Sequence, residues 1–390
     1  MSNRLASFIE KFYLKEKIRP SLMALYLNRI LQAACFGFFS IFIPIFLYQK
    51  FNNSLEIVLI YFILSYATYA LTVVFGAKIM SRLGLRNSMV ISVIFLIGFF
   101  SAYYFFQASI GYLIFLVILK NLFRNFYWVP FHTEFAEFTD RRHRGREVGF
   151  FYALWSILKV GVPVTGGFII ARYGFDNLFI LVIIIAVMSI IPLFLTQKVK
   201  EKFSWSYFKT IKKLFSKGCR RWVLAFFADG VQDVIGLVIW PIYIFILLEE
   251  KYTSVGIVTS LIVLSVLILY LVLGNFSDRF SKHKLLRYSS FFYAVGWVFK
   301  ALVYSAGHIF IAGTYHDFSK AVMRTPFDAL RYEKAADRGH YVDEYTVLRE
   351  IAICSGRALM LVLILVLIQF TDLRIAFYVA ALASLFVSIL

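Results

Sequence analysis

The stretch DNLFILVIIIAVMSIIPLFLT, residues 176–196, decides the fold. It carries one charge, Asp176, at its first position, and none in the residues that follow. At ~1.5 Å per residue such a helix is ~30 Å long, the thickness of the hydrocarbon core of a bilayer. A strand reading fails because apolar and polar residues do not alternate. The run ends abruptly at QKVKEKF, residues 197–203, the charged edge that a spanning helix presents at a membrane surface.

Outward from this stretch the same pattern fills the chain. Apolar runs place spans 1 to 6 at 21–49, 54–80, 87–107, 110–138, 146–172 and 176–196. After a basic stretch at 197–219, spans 7 to 12 follow at 220–249, 253–277, 286–306, 308–333, 342–370 and 372–390. Composition agrees: 61% of the 390 residues are apolar and 16% charged, against ~45–50% and ~25% in a soluble domain. A water-soluble enzyme is thereby excluded. The expected fold is an all-α polytopic membrane protein of 12 transmembrane helices. A cytoplasmic or interfacial segment (1–20) precedes a six-helix bundle (21–196), a cytoplasmic basic linker (197–219) and a second six-helix bundle (220–390). Residues 1–20 lack the apolar run and cleavage site of a signal peptide and suit a short interfacial helix.

The formal net charge of +19 would point to nucleic acid in a soluble protein. Here 28 Lys and Arg fall at 1–20 and in the loops at 78–86, 141–146, 198–221, 279–287 and 331–338, whereas the other side has only Lys50, Arg172, Lys251 and Arg374. This asymmetry is an orientation signal. It places both termini in the cytoplasm of an inner-membrane protein and removes the nucleic-acid reading. Cys35, Cys219 and Cys354 are not spaced for a disulfide or a metal. No H-E-x-x-H, Walker loop or G-x-S-x-G is present, so neither an enzyme nor a cofactor is expected.

The two halves also superpose in sequence. Pro44-Ile45 matches Pro241-Ile242, Arg82 matches Arg279, Arg124 matches Lys320, Pro130-Phe131 matches Pro326-Phe327, and Arg144-Gly145 matches Arg338-Gly339, at offsets of 194–197 residues. Five matches in order imply a parallel internal repeat, one of the transporter architectures.

With these features the chain resembles the major facilitator superfamily, over essentially its whole length. Gly274-Asn-Phe-Ser-Asp278-Arg279-Phe-Ser-Lys282, between spans 8 and 9, is similar to the family's G-x-x-x-D-R loop. The first-half counterpart keeps Arg82 and Gly84 but has Ser81 where the acid belongs. Arg144-Gly145-Arg146 resembles the loop between spans 4 and 5, and Pro163-Val-Thr-Gly166-Gly167 resembles the P-x-x-G-G element of antiporters, read either as a hinge or as a site of close packing. The resemblance implies alternating access around a central cavity lined by spans 1, 4, 7 and 10. It also implies a cytoplasmic latch in which Asp278 meets the start of span 5 near Arg146.

Ionisable residues inside spans must face a cavity or a partner, and they cluster on the same four spans. Span 1 carries Asn28, Arg29 and Gln32; span 4 carries Lys120, Asn121, Arg124 and Asn125. Span 7 carries Asp229, Gln232 and Asp233; span 10 carries His316, Asp317, Lys320 and Arg324. Asp229 and Asp233, at i and i+4, share one helix face. Two carboxylates so close favour one of them holding a proton, so this pair, with Asp317, forms the expected proton-coupling set. The remaining residues are the expected substrate-cavity set. Surplus cations suit an anionic or zwitterionic solute, whereas Tyr127, Trp128, Trp240 and Tyr243 would suit a cationic drug. Lys159 and Arg357 are expected to bridge to neighbouring helices. As structural ion pairs, Asp317 with Lys320 and Asp233 with Arg124 are the candidates. The expected function is a monomeric secondary transporter in the lipid bilayer that couples a small-molecule substrate to H+. The alternatives are a drug/proton antiporter, or a lipid-handling or sensor protein on the same fold.

Overall fold

The computed structural model describes residues 20–138, 144–201, 203–273, 281–336 and 342–390. The segment at 1–19 and the loop residues Gly274, Asp278 and Arg279 lie outside them. Among the described residues every regular element is a helix.

Span 1 comprises Pro20–Ser40 and Phe42–Lys50, span 2 is Leu55–Leu83, span 3 is Leu85–Tyr104 and span 4 is Ile110–Phe138. Spans 5 and 6 form one helical run, Arg144–Met188, broken at Gly174, followed by Ile190–Leu193. Gly174 adopts φ 82°, a conformation that glycine enters without a Cβ clash. Span 7 is Arg220–Val234 and Trp240–Leu247 joined by a π-turn, Ile235–Ile239. Span 8 is Tyr252–Leu273, span 9 Lys282–Ala301, span 10 Ala306–Ala336, span 11 Val342–Leu367 and span 12 Ile375–Phe386.

Among the described residues, eight helices are long and apolar enough to cross a membrane. The expected twelve differ from these eight for physical reasons. Spans 5 and 6 count as one continuous stretch, Leu158–Leu193, and span 12 is short. Spans 9 and 10 fall short because they carry the charges. Lys282, Lys284 and Arg287 crowd the first turns of span 9, and Asp317, Lys320 and Arg324 interrupt span 10.

Prolines shape the spans through the hydrogen bond they cannot make. A proline has no N–H, and its ring displaces the carbonyl four residues earlier. Pro44 acts on Ser40, and span 1 is interrupted at Ile41; Pro241 acts on Leu237, inside the π-turn of span 7. Pro130 frees the Phe126 carbonyl, which instead accepts a hydrogen bond from Ser88 Oγ of span 3 at 3.1 Å.

The loops after spans 1 and 7 share a backbone that their sequences hide. Asn52 and Asn53 lie at φ 54° and 60°, Glu249 and Glu250 at 56° and 58°. Asn53 N–H donates to Tyr48 O (2.8 Å), as Glu250 N–H donates to Phe245 O (2.9 Å). Asparagine tolerates this left-handed conformation; glutamate enters it at a cost.

Spans 1–6 meet spans 7–12 where span 5 packs on span 8, span 2 on span 11, and the ends of spans 1 and 7 touch. Small residues permit the approach. A Cβ on Gly256 would strike the Pro163 carbonyl, and one on Gly167 the Tyr252 carbonyl. Ser260 Oγ accepts from Val164 N–H at 3.0 Å. The backbone stays helical through Pro163, Gly166 and Gly167, so this element supplies close packing between spans 5 and 8. At the basic-poor end, Tyr252 hydroxyl bonds to Gln49, and its ring lies among Phe42, Phe175 and Phe245. That aromatic cluster joins spans 1, 6, 7 and 8 at this end.

Candidate functional site

Asp229 and Asp233 do share one face of span 7, but they do not act as a carboxylate pair. Each has its own cations. Arg324 grips Asp229 with both guanidinium nitrogens, Nη2 to Oδ1 at 2.6 Å and Nη1 to Oδ2 at 2.9 Å. Lys320 Nζ lies 3.0 Å from Asp233 Oδ1, and Arg357 Nη2 lies 2.7 Å from Oδ2. Spans 7 and 10 run antiparallel, so an i, i+4 pair of acids meets an i, i+4 pair of bases as a two-rung ladder. Arg357 adds a strut from span 11. Gln232 Nε2 donates to Asp229 Oδ1 at 2.8 Å and its oxygen accepts from Tyr293 hydroxyl. Gln232 therefore orients Asp229 and is itself held by span 9.

The expected ion pairs are corrected. Asp233 pairs with Lys320 and Arg357, not with Arg124. Asp317 lies 3.7 Å from Lys300 Nζ and 2.7 Å from His316 Nδ1 instead of pairing with Lys320. Lys300, in the last turn of span 9, is buried between Trp240 and Trp297, with its ammonium 4.4 and 5.2 Å from the two ring centroids. His316 is also buried, 4.3 Å from the Trp297 ring and against Gly296, where a Cβ would lie 2.9 Å from the His316 backbone. It belongs to the packing of spans 9 and 10, while Asp317 beside it keeps 40% of its side chain exposed.

On the other side, Arg124 lies over the Tyr69 ring at 3.7 Å and donates to Cys354 Sγ at 3.0 Å; its Nη2 is 3.9 Å from Glu350 Oε2. Arg349 binds Glu350 at 2.8 Å. Lys120 sits in a cage of Tyr61, Phe62 and Tyr66, 4.9–5.6 Å from their centroids, and has no carboxylate partner among the described residues. Arg357 also lies over the Tyr66 ring, at 5.1 Å. Lys120, Arg124, Lys320, Arg324 and Arg357 thus line one polar seam between spans 2, 4, 7, 10 and 11.

Three expected cavity residues are committed elsewhere. Asn121 donates to Thr68, and Asn125 to Thr72 Oγ1 at 2.9 Å, forming a polar ladder from span 4 to span 2. Asn28 donates to the Ser189 carbonyl at 2.7 Å and accepts from Tyr127 hydroxyl at 3.3 Å, fixing span 1 to spans 4 and 6. Gln32, one turn further along span 1, is fully buried, and its amide has no hydrogen-bond partner among the described residues. Arg29 differs: it stacks on Trp128 at 4.9 Å and lines a cavity of about 360 Å³. Ala33, Gly37, Lys159, Val162 and Thr259 complete much of the wall, which therefore comes from spans 1, 4, 5 and 8. Of the four spans expected around a central cavity, spans 1 and 4 contribute to this one, while the charges of spans 7 and 10 are joined to one another and to span 11. Lys159 still lies within electrostatic reach of Asp317, Lys320 and Arg324, so the cavity borders the seam.

Of the loop residues, Gly84 holds φ 82° at the turn between spans 2 and 3, and a Cβ there would lie 3.1 Å from Val199 O. Ser81, standing where an acid is usual, accepts from Phe203 N–H at 2.8 Å. Arg82 is exposed, and Lys282 opens span 9. Arg144, Gly145 and Arg146 begin the helix of span 5, but their side chains, like the whole Gly274–Asp278–Arg279 segment, lie outside the described residues. Sequence reasoning missed Lys300, Arg349, Glu350 and the tyrosines of span 2. Glu350, an acid within an apolar run, was the available signal.

A bundle of apolar helices whose interior holds a seam of ion-paired charge is a polytopic membrane protein of the transporter class. Comparison with protein families settles which: the model for the Major Facilitator Superfamily matches residues 25–313, most of the chain, and the protein belongs to that family of membrane transporters. A comparison with curated proteins returns no match.

Proposed function

We propose that the chain is a secondary active transporter that moves a small anionic or zwitterionic solute by alternating access, coupled to protons. The observation that carries this reading is the two-rung ladder of Asp229–Arg324 and Asp233–Lys320, braced by Arg357, beside a cavity edged by Arg29 and Lys159. Five cations line the seam and two more its cavity. A carboxylate or phosphate entering there competes with Asp233 for Lys320 and Arg357. The displaced aspartate, left without its cations in a low-dielectric interior, takes up a proton. Substrate binding and protonation are then one exchange, and the two six-helix units rock about the seam between inward- and outward-facing states.

The drug-antiporter alternative has less support. The aromatic faces it needs are engaged by the protein's own groups: Trp240 by Lys300, Trp128 by Arg29, Tyr127 within a stack of Phe123 and Phe131. Tyr243 bonds to Arg374 at 3.2 Å.

A thermal-shift screen of purified protein against carboxylates, phosphates and lipophilic cations at two pH values tests the substrate class, since a bound ligand raises the melting temperature. Stabilisation by anions supports the reading; stabilisation by lipophilic cations alone overturns it. For coupling, Asp233→Asn in proteoliposomes is expected to abolish uptake driven by a pH gradient while leaving exchange of a pre-loaded ligand measurable. Unchanged pH-driven uptake would remove Asp233 from the coupling role.

A further inference from the structure

The basic linker is a built element. Val199 O accepts from Leu85 N–H at 3.0 Å, Phe203 N–H donates to Ser81 Oγ, and Ser204 N–H donates to Glu344 Oε1 at 2.9 Å. Trp205 meets the Tyr345 ring at 6.2 Å. The segment therefore straps the end of span 2 to the start of span 11. Ser206 then caps a helix, Tyr207–Leu214, its Oγ accepting from Lys209 N–H at 3.2 Å.

Tyr207 of this helix stacks on Phe75 at 5.3 Å and 24°. Phe75 belongs to an exposed apolar stripe on span 2 formed by Ile60, Leu64, Leu71, Phe75 and Ile79, spaced as one helix face and turned towards lipid. It lies eight residues before the span's last residue, ~12 Å down the helix. The linker helix accordingly packs on spans 11 and 2, with its first residue, Tyr207, against the outer face of span 2. Thr210 and Leu214 face the protein, whereas Phe208 and Phe215, seven residues apart on one side, are 85% and 80% exposed. Lys212, Lys217, Arg220 and Arg221 are exposed beside them and have no carboxylate partner among the described residues. The sequence has no acid from Lys202 to Ala228. Arg220 also begins span 7, so the segment is held at the membrane surface from both ends.

We propose that the helix Tyr207–Leu214 is an in-plane membrane anchor that binds anionic phospholipids. Phe208 and Phe215 insert at the acyl-chain boundary, and Lys212, Lys217, Arg220 and Arg221 bind the headgroup phosphates. Apolar insertion and basic attraction together are what interfacial helices use. The anchor is independent of what the seam transports. Because its strap joins spans 2 and 11, the charge of the leaflet acts on a joint between the two halves of the chain.

The test uses the full chain in nanodiscs of phosphatidylcholine with or without one quarter phosphatidylglycerol. Nitroxide labels on Phe208→Cys and Phe215→Cys are expected to be broadened more by oxygen than by a water-soluble nickel chelate, the reverse of a label on Asn53→Cys in the loop after span 1. Nickel accessibility equal to that of the loop overturns the insertion. The immobilised fraction of spin-labelled phosphatidylglycerol is expected to exceed that of spin-labelled phosphatidylcholine, and Lys212→Gln with Lys217→Gln to reduce the excess at least twofold. Both lysines are exposed, so this variant should fold, which its melting temperature checks. An excess that is absent, or unchanged in the variant, overturns the headgroup assignment.

Discussion

Replacing Asp229 by Asn removes the charge that two nitrogens of Arg324 hold at 2.6 and 2.9 Å. The site is buried on the acid side, where 5% of the side chain is exposed, and partly open on the basic side, at 28%. Stranding one partner of a buried pair costs ~3–5 kcal/mol. Arg324 retains access to solvent, so Asp229→Asn should cost less than most of that range, ~2–3 kcal/mol. Arg324→Gln strands the more buried partner, with only Gln232 to hold it, and should cost ~3–4 kcal/mol. If the two act as one unit, the double variant should cost no more than the worse single change, a coupling of ~2–3 kcal/mol. At ~2 °C per kcal/mol, each single variant should melt ~4–8 °C low, and the double variant should match the worse of them. Thermal unfolding in one detergent measures all four corners of the cycle. Additive losses would refute the pairing. Uptake separates structure from function, because the double variant should recover stability relative to the sum yet stay inactive. A double variant that transports normally would reduce this rung to a structural brace.

Two further outcomes follow from local geometry. A Cβ on Gly230 would strike the Ile353 carbonyl, whereas one on Gly161 meets nothing within 4 Å; Gly230→Ala should therefore cost ~1–3 kcal/mol by forcing spans 7 and 11 apart, and Gly161→Ala should be neutral or stabilising, with melting temperatures that do not differ refuting the packing. Outside the spans, the hydrogen bond and then the charge of Lys251 hold the Glu249 carboxyl below the usual glutamate range; a depressed acid favours the folded loop above its unfolded pKa and loses that preference as pH falls through the folded value, so the Glu249 titration followed by NMR should move up in Lys251→Gln and at high salt, and a titration that does not move would break the link.

Much of the fold was legible because the membrane imposes one constraint at every position. Within a span each uncharged run must be long enough to cross, and the stretch at 176–196 states this without help from any contact. The spacing of Asp229 with Asp233, and of Lys320 with Arg324, also placed each pair on one helix face. The twin loops at Asn52–Asn53 and Glu249–Glu250 were illegible, because a shared backbone left no shared residues. The roles of Asn121 and Asn125 were misread because a polar side chain in a span has two solutions, a cavity or a neighbouring helix. Only the position of Thr68 and Thr72 on span 2 chose between them.

The sequence by itself determined that the chain crosses a membrane, that its interior holds more cations than acids, and which spans carry them. Burial of charge is costly enough that each such residue announces a partner. The identity of the partner was left to the tertiary structure. One residue of helix rotation turns a side chain by ~100°, so a change in the rotation of span 7 or span 10 would turn Asp233 and Lys320 away from each other. The packing of spans 7, 9, 10 and 11 selected Arg324, Lys320, Arg357 and Lys300. It also seated the linker helix on spans 11 and 2, which leaves Phe208, Phe215 and the basic residues beside them exposed.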